Sequence, residues 1–547
     1  MSYNSYLCKC MKKYFSLFVI LFCLPFILWA VCGIMPTFDD YTSLQSTWWV
    51  QIADPGYFFP DSVRRPFDAL LGCVVGWWPS LFPTLNHVLI ILGHAASACL
   101  VFALCQRLLV GDASKRCNSS AVVGNASKRC RQAMLATNIA TLFFFFSPAT
   151  LGATLACDGF NQTYAQLWGL LALWTYLKSQ ISNLKPQTSN LKPQISNLKP
   201  QTSNLKSQIS NLKPQTSNLW LLCVLMAVFS KENGLAWAVV PPLVAYAFRL
   251  TDRKQTIRDI GKGLLLAVAY LLLFATLAFT GMLEYSDEYS EATLLSHVKD
   301  FVQLMAYTWV PLDYMSVVYP PTRNWTIVIV TLLLSLPFLL LLAGRWRLLK
   351  SRTLPVLIAC FLILVSPHLV TVVSIMHNYA ALSIASLIVA VLLSTPHSGS
   401  KFFTSHLSPL ISHPTPLFIL YLSAALFTDV HHYIAARESG LLGKHLATQA
   451  ITHTNKPIQH AMLISIDDPE EPRYSSFCVR PIDAFAWGLV VRHYSHYEWK
   501  TRIDEVTLPK YDSQQVEALA DSALQAGCEA VWVVGRDKEN LEIISPQ

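Results

Sequence analysis

LWLLCVLMAVFSKENGLAWAVVPPLVAYAF, residues 219–248, decides how the rest of the chain is threaded. Taken as one long helix, it would carry the basic stretch 249–262 to the side opposite the other basic loops. Broken at SKENG, residues 230–234, it makes two short crossings and returns that stretch to the common side. Lys and Arg collect on the cytoplasmic side of membrane proteins, so the charge bias selects the break. The first limb, 219–230, then spans only ~18 Å as a helix, which recesses Lys231 and Glu232 below the outer surface. Ionisable groups at that depth face a cavity or one another. An intramolecular Lys231–Glu232 pair closing a helical hairpin is the plainer of those two readings.

The composition agrees with a membrane setting. Of 547 residues, 53% are hydrophobic and 14% charged, against about a quarter charged in a soluble domain. Apolar runs near 14–34, 85–105, 133–153, 160–178, 219–230, 234–249, 263–281, 325–343, 354–376, 378–394 and 415–430 reach or approach the ~20 residues of a spanning helix. The expected fold is therefore an all-α polytopic membrane protein of about eleven transmembrane helices, with a small C-terminal α/β extracytoplasmic domain. Lys9, Lys12 and Lys13 precede the first run, as in a secretory signal. That run is longer than an h-region of ~7–15 residues, and AVCG at 30–33 is a poor cleavage site, so a retained anchor is expected.

Basic residues crowd 9–13, 107–131, 178–213, 249–262 and 345–352, the segments that lie inside if the N-terminus is inside. The outer loops hold only Arg64, Arg65, Lys231, Lys299 and Arg323. The formal net charge of +8 is thus a topology signal, and nucleic acid is not an expected partner. The cysteines are scattered and show no metal-ligand spacing; Cys478 and Cys528, both in the tail, could pair in an oxidising compartment.

Two domains are expected, 1–430 in the membrane and 431–547 outside. Between 179 and 219 the chain repeats a seven-residue unit (SQISNLK, PQTSNLK and variants). Such polar, proline-bearing units cannot bury enough surface to fold and read as a low-complexity cytoplasmic loop. GDASKRC at 111–117 and GNASKRC at 124–130 are a smaller duplication. In the tail, AMLISID and AVWVVG read as strands and DSQQVEALADSALQAG as an amphipathic helix. His431, His432, His493 and His496 read as surface histidines.

The outer loops carry the candidate chemistry. FDDY at 38–41 sets Asp39 and Asp40 just after the first span, RRPF follows at 64–67, and Asp158 lies in CDGFNQTY. Lys231 and Glu232 occupy the third loop; Glu284, Asp287, Glu288 and Arg323 lie in the long fourth, and MHNY at 376–379 in the fifth. A carboxylate can deprotonate an acceptor hydroxyl, and nearby cations can offset charge on a departing phosphate. Aromatic side chains could stack on a sugar, although interfacial belts need the same residues.

FDDY, RRPF, NHVLIILGH at 86–94, FSKENG at 229–234 and MHNYAALS at 376–383 fall in this order over about 350 residues. In this the chain resembles the C-type polytopic glycosyltransferases, in particular the branch related to the transmembrane O-mannosyltransferases. The resemblance covers roughly residues 14–395. It implies transfer of a monosaccharide from a polyprenyl-phosphate donor to an acceptor hydroxyl at the outer face, with inversion. It also implies Asp39 as the base, Asp40 positioning base or acceptor, and Arg65, Lys231 and Arg323 as candidates for the phosphate. His94, Asp158, Glu232, His377 and Tyr379 would line the substrate site. No metal or other cofactor is implied. The implied partners are the lipid-linked donor and an acceptor protein, glycan or lipid. Asn378 stands where the family usually has arginine, only His94 of the second motif has a counterpart, and no tetratricopeptide repeats follow. The implied location is a bacterial inner membrane, N-terminus cytoplasmic and tail periplasmic. Two other readings stay open: a lipid-linked sugar transporter or flippase, and an inactive membrane assembly factor.

Overall fold

The computed structural model describes residues 13–32, 34, 65–76, 84–110, 123–155, 159–189, 218–280, 294–312, 325–345, 351–367, 378–395, 414–454, 456–466, 489–495, 498–534 and 540–544. Within these the chain is mostly helical, closed by a small C-terminal sheet. Among the described residues five helices are long and apolar enough to cross a membrane: α1 (Phe15–Cys32), Thr84–Val110, Arg253–Phe279, Trp325–Ala343 and Pro414–Thr454. A sixth candidate is a pair, Arg129–Phe145 and Pro148–Leu155, bent by 45°. Leu219–Ser230, Thr353–Val365 and Tyr379–Ser394 are shorter apolar helices.

In chain order, α1 is followed by α2 (Pro66–Gly76), α3 (Thr84–Cys105, ending in a π-turn), α4 (Val123–Phe145), α5 (Leu151–Leu155) and α6 (Phe160–Ser189). Next come α7 (Leu219–Ser230), α8 (Val240–Ala247), α9 (Arg253–Phe279), α10 (Leu294–Trp309), α11 (Trp325–Ala343), α12 (Thr353–Val365), α13 (Tyr379–Ser394) and α14 (Pro414–Thr454). The bundle is organised around α13, whose residues from Tyr379 to Leu393 are all buried. A helix apolar all round belongs at a centre, and Ala380, Ala381, Ser383, Ala385 and Ser386 let its neighbours approach closely, the packing mode membranes favour. The outer faces are apolar in the opposite sense: Phe279 on α9 is 97% exposed and Trp29 on α1 73%. Contiguous apolar surface of this kind suits lipid rather than water.

The SKENG break expected from charge is present. Helix α7 stops at Ser230, Lys231 is extended (φ −157°, ψ 143°), and a 3-10 segment, Glu232–Ala238, turns back along α7. Gly234 is required there, because a Cβ would fall on the Ala227–Val228 peptide. Gly263 on α9 is under a similar constraint from the Ala238 carbonyl.

Three expectations need correction. The repeat does not begin as a linker at 179: α6 continues to Ser189, because a helix already formed and packed propagates more easily than it nucleates. The loop 282–324 contains α10, whose Leu304 and Thr308 are fully buried. Tyr421 of α14 donates its hydroxyl to the Trp309 carbonyl, and Thr428 donates to that of Pro311, tying down the end of α10. Finally, α14 does not stop near 430 but runs 41 residues to Thr454, about 61 Å. Its continuation turns His432 inward, so that residue is buried rather than on the surface.

Beyond α14, the sheet has strand order β2-β1-β3-β4, with β1 His460–Ile466, β2 Arg502–Leu508, β3 Ala530–Val534 and β4 Leu541–Ile544. β1 pairs in parallel with β2 and β3, and β4 is antiparallel to β3. The strand period of two sorts the side chains. Ala461, Leu463, Ala530, Trp532 and Val534 meet Leu446, Ala447 and Ala450 of α14, in a cluster shared with Ile90 of α3 and Phe160 of α6. Ile464, Ile466, Val531 and Val533 meet Val516, Ala520 and Ala523 of the helix Ser513–Gln525. The sheet is thereby seated on the end of the bundle where α3 and α6 begin.

Candidate functional site

Three sequence motifs converge at that end. Arg65 immediately precedes α2, which starts at Pro66, a residue pre-set for the first helical position. Its Nε donates to Glu232 Oε1 at 2.8 Å and its Nη2 to Oε2 at 2.7 Å. This is a fork-on-fork ion pair with side chains 19% and 25% exposed. Phe67 sets its ring against Trp168 (5.6 Å, edge-on) and Tyr164 (6.0 Å) of α6. Asn233, one residue past Glu232, donates through Nδ2 to Gln162 Oε1 at 2.8 Å, both buried. RRPF, SKENG and the FNQTY run are thus one contact network. Glu232 takes Arg65 as a bidentate partner, a pairing that sequence-local reasoning about Lys231 and Glu232 does not reach.

A second pair joins the other two motifs. His94 Nε2 lies 3.1 Å from the Phe145 carbonyl, at the free C-terminal end of α4 where the chain bends. A carbonyl only accepts, so Nε2 carries the proton. Neutral imidazole then accepts at Nδ1, where Tyr379 donates its hydroxyl at 2.7 Å. The ring stacks on Phe145 at 4.9 Å. With both nitrogens bonded and 3% exposure, His94 holds the α4 bend to α3 and α13. Asn378, before Tyr379, is buried, and its Oδ1 has no partner among the described residues. The two pairs share a seam: Gly93 packs against Thr163, the neighbour of Gln162.

Of the sequence-predicted site residues, the structure brings together Arg65 with Glu232 and His94 with Tyr379, and it sets Lys231 at the hairpin reversal. Asp39, Asp40, Asp158, Arg323 and His377 lie outside the described residues, as do Arg64 and Cys478. Ile34, the last described residue before the Asp39–Asp40 pair, is buried with Ile91, Leu151 and Ala436.

Next to that cluster is a cavity of about 320 Å³ between α1, the α4–α5 bend and α14, lined among others by Phe26, Trp29, His94, Thr150, Asp429 and Arg437. Sequence reading placed Asp429 at the end of a span and missed it as a lining residue. The available signal is a single carboxylate in an otherwise apolar run, ILYLSAALFTDV at 419–430, whose helix has to continue for the acid to face inward.

In the tail, His460 Nε2 sits 2.7 Å from Asp504 Oδ2, and the Cys528 thiol 3.8 Å from the same ring. Burial pushes that thiol up from its ordinary value, which suits packing rather than nucleophilic attack. Among the described residues no group of three His, Cys, Asp or Glu side chains is placed to hold a metal ion. No protein-family model matches the chain. No curated protein matches it either.

Proposed function

We propose that this chain is a multi-pass membrane glycosyltransferase that moves a monosaccharide from a polyprenyl-phosphate donor to an acceptor hydroxyl at the outer face. In this reading it crosses the membrane about eleven times, N-terminus inside and tail outside, in a bacterial inner membrane. The observation that carries the reading is the double pairing of Arg65 with Glu232 and of His94 with Tyr379. Four motifs distant in sequence become neighbours along one helix seam. A random scatter of short motif-like strings would not be expected to pair in this way.

The chemistry follows from the residue types. Asp39, ionised, takes the proton of the acceptor hydroxyl as its oxygen attacks the anomeric carbon. The bond from that carbon to the phosphate oxygen breaks, and polyprenyl phosphate leaves from the opposite face, inverting the centre. Cations offset the charge on the departing phosphate. Arg65 is engaged by Glu232, so a phosphate would share or displace that carboxylate, which makes the fork a means of holding the guanidinium in place before the donor arrives.

Sugar transfer in membranes supplied with radiolabelled polyprenyl-phosphate mannose or glucose tests this directly. Asp39→Asn at equal expression should abolish transfer; full activity in that variant would remove Asp39 from the mechanism. A second reading, transport of a lipid-linked sugar, is favoured by one observation, the buried carboxyl of Asp429 beside a membrane-level cavity. Movement of labelled lipid between leaflets without turnover would select it.

A further inference from the structure

The cavity beside α14 has a distribution of polarity that specifies a ligand. Asp429 lines it at 8% exposure, and its Oδ1 has no hydrogen-bond partner among the described residues. A carboxyl oxygen buried without a partner has lost its water without replacement, so such an atom is either compensated by a ligand or a persistent defect. Three other polar linings are already committed. Thr150 donates to the Ser147 carbonyl, Thr154 to that of Thr150, and both His94 nitrogens are bonded. Arg437 stands farther along the same helix, with its guanidinium 5.9 Å from the Trp29 ring. Tyr433 also lines the cavity near Asp429, its hydroxyl bonded to Thr154. The rest of the wall is apolar, and Phe26, Trp29, Val430 and Ile434 are exposed around the mouth, facing outward from the bundle.

Depth separates the two polar groups. About 12 Å of helix rise lies between Asp429 and Arg437, and helical side chains lean toward the N-terminus, which draws the arginine back toward the acid. Toward the tail domain comes the cation, at the level of the Trp29 ring; toward the middle of the span comes the acceptor. A ligand matching both carries an anionic group at the interface and a hydrogen-bond donor nearer its chain. Polyprenyl phosphates have no donor below the phosphate. A phospholipid with a free glycerol hydroxyl does.

We propose that this cavity binds a single-chain glycerophospholipid, with its phosphate at Arg437, its free glycerol hydroxyl donating to Asp429, and its chain lying along Phe26, Trp29 and Val430. The proposal does not rest on the transferase reading. A volume of about 320 Å³ is at the lower end of small-molecule sites, room for a glycerol backbone and the root of one chain.

The test uses the full chain in detergent and three probes: oleoyl lysophosphatidic acid, its analogue lacking the glycerol hydroxyl, and glycerol 3-phosphate. Native mass spectrometry with competition reads the binding. The hydroxylated lipid should bind about tenfold tighter than the analogue, the scale of one good hydrogen bond to a charged or buried partner. Arg437→Gln should weaken both lipids by about the same factor, the loss of one charge-assisted bond. Asp429→Leu should erase the hydroxyl preference, while Asp429→Asn, which keeps an acceptor and is close in shape, should retain part of it. Equal binding of the two lipids by the unaltered protein would overturn the proposal, as would a preference that survives Asp429→Leu. Competition by glycerol 3-phosphate as strong as that of the lipid would overturn it in another way, by making the site one for soluble phosphate esters.

Discussion

Replacing Glu232 with Gln should loosen the whole junction between α2 and the SKENG hairpin, and a double-mutant cycle with Arg65→Met measures by how much. The pair makes two charge-assisted bonds at 2.8 and 2.7 Å. Its side chains are 19% and 25% exposed, which places it between two known regimes. Exposed ion pairs contribute ~0–1 kcal/mol, whereas breaking a fully buried pair costs about 3–5 kcal/mol because one charge is left without compensation. Each single substitution should therefore destabilise by ~2–3 kcal/mol. The double variant should lose less than the sum, leaving a coupling of about 2 kcal/mol, or roughly 30-fold in the folded-to-unfolded ratio. Unfolding in mixed micelles of rising dodecyl sulfate content, followed by tryptophan fluorescence and far-ultraviolet dichroism, supplies the four numbers. Partial burial also predicts that raising salt changes the coupling little. Additivity within ~0.5 kcal/mol would refute the argument, since it would mean the two side chains do not act on one another in the folded state.

Three further outcomes are expected. Tyr379→Phe leaves His94 Nδ1 buried without its donor and should lower stability by about 1–3 kcal/mol; His94→Leu, which also strips the Phe145 carbonyl, should cost more in the same melt. Gly263→Ala would drive a methyl into the Ala238 carbonyl, where no flexible side chain can yield, and should cost about 3 kcal/mol or prevent accumulation. Gly261→Ala, with nothing within 4 Å, should be neutral or stabilising by up to ~1 kcal/mol. In the tail, the hydrogen bond from His460, aided by Arg502, holds the Asp504 carboxyl below its ordinary value. The unfolded chain then takes up that proton first, so the contribution is complete above about pH 4 and is lost as pH falls toward the folded value. Amide exchange of β1 and β2 between pH 5 and 3 should show this loss, and Asp504→Asn should remove it.

Charge bias, hydropathy and strand period were readable directly. The SKENG break, the boundaries of α7 and α11, and the strands around Leu463 and Trp532 all came from local signals: a charged pentapeptide in an apolar run, a span-length stretch, an alternation of period two. The candidate site was legible as a set of motifs but not as contacts. That Arg65 meets Glu232 depends on how α2 docks on α6 through Phe67, and no spacing in the sequence encodes that meeting. The same holds for Asp429. Its inward face follows from the uninterrupted turn count of α14, whereas composition after residue 430 suggested that the helix had ended. The acidic and polar residues flanking α10 read as a loop in sequence, because its burial comes only from tertiary contacts such as those with α14.

What the sequence determined by itself is the local geometry and the preferred surroundings of each segment: which stretches are apolar enough to prefer lipid, where a helix must break, where a strand must alternate. These are properties of short stretches, set by transfer free energies and backbone sterics. The tertiary structure alone decided which ionisable groups face one another and which cavity they line. Those choices rest on helix rotation and on packing between segments hundreds of residues apart. In an apolar bundle, where hydrophobicity does not favour one helix face over another, small residues and a few polar contacts fix that rotation.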